Sequence, residues 1–188
     1  MKSIKYIFCI ALSLFTCSIV LAQVAPNKNH TFYIVRHAEK DTGNNPPISA
    51  AGKKRAGDLY RILKKKKIDI ILVSQFRRTG MTADSMRIYK GIDTMQYVAD
   101  AEASSLFEMI NKLPATVKRI LIIGHSNTLP EIIRKAGVQA FSLKEIPDHE
   151  YDNLFIVTQK NKKASLKSKK YGTASAMPAK ETKMNILQ

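Results

Sequence analysis

The chain has 188 residues, with 31 Lys and Arg against 15 Asp and Glu, a formal charge of +16, and 45% hydrophobic residues. That length suits one domain with its own core, and the basic excess asks for an anionic partner: nucleic acid, an anionic membrane surface or a phosphorylated substrate. Nucleic acid is not expected, because neither basic run, Lys64–Lys67 or the scattered lysines from Lys160 to Lys183, carries interleaved aromatics or a recognition motif.

The opening resembles a signal peptide. Lys2 and Lys5 give a positive start, Tyr6 to Leu21 is apolar and uncharged, and Val20-Leu21-Ala22 supplies small residues before Gln23. Residues 1–22 are therefore expected to be removed, leaving an exported, periplasmic or secreted protein. The apolar run is short for a membrane span and no stop-transfer flank follows, so no stable span is expected after removal. Cys17 could be a lipid-attachment site, but Leu14-Phe15-Thr16 is a poor context for it. Both cysteines, Cys9 and Cys17, lie inside this segment, which excludes disulfides, thiolate catalysis and Cys-ligated metal from the mature chain.

Thr31 to Arg36 reads as a first buried strand, and Asp41 to Pro47 as a loop rich in turn formers. Ser49 fits an N-cap, and Ala56, Leu59, Tyr60 and Leu63 give an apolar face to a helix over residues 50–66. Ile68 to Ser74 is a second buried strand and Arg78 to Tyr89 a helix. Met95 to Val98 is a short strand, Ser104 to Lys112 a helix stopped by Pro114, and Arg119 to Ile123 a third apolar strand. Leu129 to Ala136 is helical, Leu154 to Thr158 a strand, and Ser165 to Tyr171 an edge strand. Residues 173–188 have little periodic apolar content and read as a disordered basic tail, which leaves residues 23–172 as the domain. Strands alternating with helices predict an α/β fold, a three-layer α/β/α sandwich around a mostly parallel sheet.

Three of these strands end in chemistry. The first delivers Arg36-His37, the second runs into Ser74-Gln75-Phe76-Arg77-Arg78, and the third into Gly124-His125-Ser126. In a parallel sheet these carboxyl ends share one rim, where ligands bind. Two arginines and two histidines around one point make an anion pocket, and a phosphoryl group offers enough oxygens for all four.

These residues fall in four ordered motifs, and with them the chain resembles the histidine phosphatase superfamily, also called phosphoglycerate-mutase-like. Arg36-His37-Ala38-Glu39 stands for its R-H-G-x, residues 47–56 for P-L-[ST]-x-x-G-x-x-[QR]-A, residues 74–83 for S-x-x-x-R-[AT]-x-x-T-A, and Gly124-His125 for its G-H. The resemblance implies the short phosphatase branch, with no metal and no cofactor. It makes His37 the nucleophile that becomes phosphohistidine, with Arg36, Arg78 and His125 on the phosphoryl oxygens and Ser126 beside them as a further substrate contact. It places a general acid in the segment Tyr97 to Glu102, where Glu102 is the first candidate and Asp100 the second; Glu39 is a further carboxylate near the site. Motif spacing selects Arg78 over Arg77. The expected activity is hydrolysis of small phosphomonoesters or phosphoramidates. The alternatives are a phosphate-binding module of the same fold and a mutase. Against the mutase stand Ala38 and Lys40 in place of the usual Gly and Thr or Ser, and the missing long insertions. His30 and His149 read as ordinary exposed residues, and no His-x-x-His pattern supports a metal site.

Overall fold

The computed structural model describes residues 29–175. The expected signal segment with Cys9 and Cys17, and most of the expected basic tail, lie outside these residues. The element order is β1 (Thr31–Arg36), α1 (Ala50–Leu63), β2 (Ile70–Ser74), α2 (Arg77–Lys90), β3 (Thr94–Tyr97), α3 (Ser104–Lys112), β4 (Arg119–Gly124), α4 (Leu129–Lys135), β5 (Asn153–Lys160) and β6 (Lys163–Lys170). They form one six-stranded sheet in the order β3-β2-β4-β1-β5-β6. The four strands from β3 to β1 are parallel, whereas β5 pairs antiparallel with both β1 and β6. The sheet is thus mixed and the fold α/β.

Strand alternation builds the three layers. One face of β1, β2 and β4 presents Phe32, Ile34, Leu72, Ile120 and Ile122 to the α3 and α4 side, where Leu106, Ile132 and Ile133 meet them. The other face presents Val35, Ile71, Val73, Leu121 and Ile123 to Leu59 and Leu63 of α1 and to Ala83 and Met86 of α2. Because both faces are covered, these strands read as continuous apolar runs. Each fully buried Leu or Ile contributes roughly 1.5–3 kcal/mol.

Element ends moved slightly. The helix expected to reach residue 66 ends at Leu63, and Lys64 to Lys67 form a solvated turn in which Lys67 takes φ 50°. Residues 153–160 and 163–170 form a hairpin whose turn residues, Asn161 and Lys162, both have positive φ, as a type I′ turn requires. His30 departs from expectation: it is 3% exposed, with its ring 5.4 Å from Phe32. At the chain's other end, Ser175 accepts the Tyr151 N–H and donates its own to Asp152, so residues 173–175 fold back on the domain.

The loop after β1 is fixed by α1. Ser49 caps the helix through the Gly52 N–H and donates its own N–H to the Glu39 carbonyl. Gly52 packs directly under that carbonyl, where any Cβ would overlap the oxygen. Gly52→Ala should therefore destabilise by about 1–3 kcal/mol despite alanine's better helix propensity. Gly80 lies in α2 with nothing within 4 Å of a Cβ position, so Gly80→Ala should stabilise by roughly 0.5–1 kcal/mol. Denaturant unfolding of the two variants measures both signs.

Candidate active site

The parallel register aligns the rim. Arg36 of β1 pairs with Gly124 of β4, Val73 of β2 pairs with Ile123, and Ser74 pairs with Tyr97 of β3. His37 and His125 are the next residues out, and the His37 N–H donates to the Gly124 carbonyl at 2.9 Å. Their rings lie 5.3 Å apart. Gly124 is required here, because a Cβ would press on Leu129 and Thr128 behind it. From α2, Thr82 accepts the Ala38 N–H at 2.9 Å and itself donates to the Arg78 carbonyl, tying the strand end to the helix that carries Arg78.

The proton positions of both histidines follow from their partners. His37 Nδ1 is 2.8 Å from the Ala38 carbonyl oxygen, which can only accept. Nδ1 therefore carries the proton and Nε2 keeps a free lone pair. His125 Nδ1 lies 3.2 Å from Arg78 Nη2, which can only donate, so His125 Nε2 bears the hydrogen and donates to Ser74 Oγ at 2.8 Å. Ser74 then donates to Thr79 Oγ1 at 3.1 Å, and Thr79 donates to the Phe76 carbonyl at 2.7 Å. Donors run in one direction from Arg78 through His125 into the backbone.

Both arginines are held by aromatic faces. Arg36 lies 4.3 Å from the centre of the Tyr151 ring and Arg78 4.4 Å from that of Phe76. Phe76 also packs edge-on against His125, at 5.1 Å. Arg36 Nη1 donates to the carbonyls of Pro147 and Asp148, and Nη2 donates to the Asp148 carboxylate at 3.0 Å. The Nε donors of Arg36 and Arg78 are buried and have no hydrogen-bond partner among the described residues. An unpaired buried donor costs roughly 1–3 kcal/mol, and more when charged, so two at one point mark a place built for an anion. Arg77, by contrast, is exposed, and its backbone N–H bonds Asn45.

Residues 32–104 match the profile of the histidine phosphatase superfamily (branch 1). No curated protein matches the chain by sequence. Solved structures share the fold: the protein histidine phosphatase SixA complexed with tungstate (TM-score 0.55, 17% identity, covering 74% of this chain and 96% of that one); phosphoglycerate mutase from Plasmodium falciparum (0.52, 18%, 81% and 96%); and the alpha-ribazole phosphatase from Shigella flexneri (0.51, 13%, 78% and 96%).

Within this histidine phosphatase fold, Arg36, His37, Arg78 and His125 converge as the motifs imply, and the other expected residues stand apart. Ser126 is nearly buried, and its hydroxyl donates to Glu145 at 2.8 Å, which ties it to the loop after α4. Glu102 lies on the exposed turn before α3, and its carboxylate has no hydrogen bond or ion pair among the described residues. Asp100 caps α3 by accepting the N–H groups of Ser104 and Ser105. Slight burial works against its charge, but those N–H donors prevail and hold its pKa below the usual value, so it is committed as a carboxylate. Glu39 is clasped by Arg55 through Nε and Nη2, and Arg55 Nη1 donates to the Tyr171 carbonyl, a brace between α1 and the end of β6. Tyr151, absent from the motifs, lies 6.1 Å from His37 ring to ring and lines a cavity of about 430 Å³ with Lys54, His149 and Ser175. Among the described residues there is no cluster of three or more His, Cys, Asp or Glu able to hold a metal, and no helix is long and apolar enough to cross a membrane.

Burial pushes the His37 pKa down to about 3, and His125, Arg78 and Arg36 add to the shift against the Ala38 hydrogen bond. Burial, then Arg78 and Arg36, push His125 down to about 4. Both native values lie below the ordinary 6.5, so below that pH the unfolded chain takes up protons that the native site refuses. The histidines' contribution to stability is complete above pH 6.5 and is lost as pH falls toward 4. Thermal unfolding should show the melting temperature dropping across that window, with a shallower slope in His37→Asn and His125→Asn.

Proposed function

We propose that this protein is a metal-independent phosphatase that hydrolyses small phosphomonoesters or phosphoramidates through a phosphohistidine on His37. The observation that carries the reading is the pairing of an unprotonated, carbonyl-oriented His37 Nε2 with two buried, unsatisfied guanidinium donors. A neutral imidazole is the form that attacks phosphorus, and its depressed pKa keeps it in that form at ordinary pH. Phosphoryl transfer needs in-line placement and charge stabilisation more than covalent assistance, and fixed cations provide both.

Arg78 Nη2 donates to His125 Nδ1. A bound phosphoryl group turns that donor toward its own oxygens, and a proton taken up at His125 Nδ1 makes the imidazole a second cationic donor, with Nε2 still anchored on Ser74. Arg36 offers its free Nε, and the cavity beside Tyr151 leaves room for the rest of the substrate. The tungstate bound to SixA shows that a protein of this fold takes a tetrahedral oxyanion, which supports the same ligand chemistry here. The mutase reading lacks the insertions and side chains noted above. The leading residues 1–22 further support export from the cytoplasm, which N-terminal sequencing of the native protein would test.

Hydrolysis of an aryl phosphate should persist with chelator present and disappear in His37→Ala, and brief exposure to labelled substrate should yield an acid-labile, base-stable phosphoenzyme in the wild type alone. Phosphate binding without labelling would instead identify a binding module. Arg78→Ala should lower turnover on the order of hundredfold or more, by analogy with removal of an oxyanion donor, while Arg77→Ala should leave it nearly unchanged. The reverse ranking would contradict the site.

A further inference from the structure

We propose that Asp148, rather than Glu102, is the general acid–base of this site, the group that protonates the leaving oxygen as His37 is phosphorylated. The assignment rests on the phosphohistidine reading above. It is carried by the placement of the Asp148 carboxylate 3.0 Å from Arg36 Nη2, on the guanidinium whose neighbouring Nε is buried and unsatisfied. Nε and Nη2 are the two donors that Arg55 uses together on Glu39 in this same chain, so they form one fork. A phosphoryl oxygen accepting from Arg36 Nε therefore lies beside the Asp148 carboxylate.

The other carboxylates nearby are spoken for or elsewhere. Glu39 is clasped by Arg55, Asp100 caps α3, and Glu145 accepts from Ser126. Glu102, on the exposed turn before α3, has no hydrogen bond or ion pair from its carboxylate to the phosphate-binding groups among the described residues. Asp148 touches one of them and still opens to water, with 89% of its side chain exposed, so protons reach it from solvent. Its backbone carbonyl accepts from Arg36 Nη1 at 2.8 Å, which holds the residue against the site when its side chain is released. His149 and Tyr151, just beyond it, line a cavity of about 430 Å³, and the Tyr151 ring lies 6.1 Å from that of His37. An incoming dianion and an ionised carboxylate repel one another across a single guanidinium edge, and a proton on Asp148 relieves that repulsion.

In the first step the His37 Nε2 lone pair forms the P–N bond. The P–O bond to the leaving group breaks, its electron pair goes to oxygen, and the Asp148 carboxyl proton goes to that oxygen, giving an alcohol and a carboxylate. In the second step water attacks phosphorus and gives one proton to the Asp148 carboxylate. The P–N pair returns to His37 Nε2, and hydrogen phosphate leaves. Each step conserves charge, and the cycle ends with Asp148 protonated as it began.

Asp148→Asn keeps an oxygen to accept from Arg36 Nη2 but removes the transferable proton. The test is the single-turnover rate of His37 phosphorylation from two substrates, p-nitrophenyl phosphate, whose leaving group needs little protonation, and a simple alkyl phosphate, whose leaving group needs much. Asp148→Asn should stay within a few-fold of the wild type on the first and fall on the order of hundredfold or more on the second, the usual range for a lost general acid; Glu102→Gln should match the wild type on both. Equal slowing on the two substrates would overturn the assignment, because it would mean that Asp148 only orients Arg36. The leaving-group signature appearing in Glu102→Gln instead would overturn it as well. Absence of any phosphoenzyme in the wild type would remove the phosphohistidine reading and the assignment with it, whereas normal labelling without leaving-group dependence in Asp148→Asn removes the assignment alone.

Discussion

Two guanidinium groups held in a largely buried pocket, each with an Nε donor that has no hydrogen-bond partner among the described residues, set the terms for everything around them. Cations out of water repel each other and lose hydration, so the fold must tolerate them until an anion arrives. It does so with groups that soften positive charge without neutralising it. Tyr151 and Phe76 lay their ring faces under the two cations, and the carbonyls of Pro147 and Asp148 accept from Arg36. The imidazoles between them stay uncharged, because burial and the guanidiniums together make a third and fourth positive charge costly. The same field that would receive an anion thus keeps His37 neutral, the form the proposed transfer needs.

Such a site works only if its parts cannot drift, and the scaffold around it is correspondingly over-determined. His37 is anchored by its own N–H to β4 and through its ring to the Ala38 carbonyl, while the Ala38 N–H is pinned by Thr82 of α2. Gly124 lets β4 pass close to Leu129 and Thr128, and Gly52 lets α1 press against the Glu39 carbonyl. Arg55 closes the structure behind Glu39 by reaching the end of β6. These motif residues share one effect: they set the position of the peptide turn that carries His37.

The sequence was most legible where a residue's role is local. Apolar runs with both faces buried gave β1, β2 and β4, and a four-residue step placed Arg78 toward the site and Arg77 away from it, as the exposed Arg77 side chain agrees. It was least legible where a role depends on a partner distant in the chain. Ser74 reads as the start of a motif, yet it is the acceptor for the His125 Nε2 hydrogen from 51 positions away. Glu39 reads as a carboxylate near the chemistry, but Arg55 converts it into a brace. His30 reads as exposed because a strand's first residue usually is, whereas here the Gln159 N–H bonds the His30 carbonyl and draws that end of the sheet inward. Tyr151 and Asp148 carry no signature at all, since only the antiparallel placement of β5 beside β1 brings the preceding loop across Arg36.

On the proposed reading, that placement also gives the acid and the anion pocket different surroundings. The oxygen binders sit on the rim of the parallel strands and at the start of α2, where register and hydrogen bonds hold them. Charge stabilisation profits from this rigidity, because donors already in place need not reorganise as charge develops. A proton donor has the opposite requirement. In the proposed cycle it must give a proton to leaving oxygens of different shapes and take one back from the attacking water, so a buried, immobile carboxyl would be a poor choice. A loop carboxylate that rests on Arg36 by one oxygen, is anchored through its backbone, and faces solvent over most of its surface meets that requirement. Glu102 has the exposure without the contact, and Asp100 has an anchor that consumes its carboxylate. The division of labour between a hydrogen-bonded rim and a solvent-facing loop is what the two halves of the proposed reaction ask of their residues.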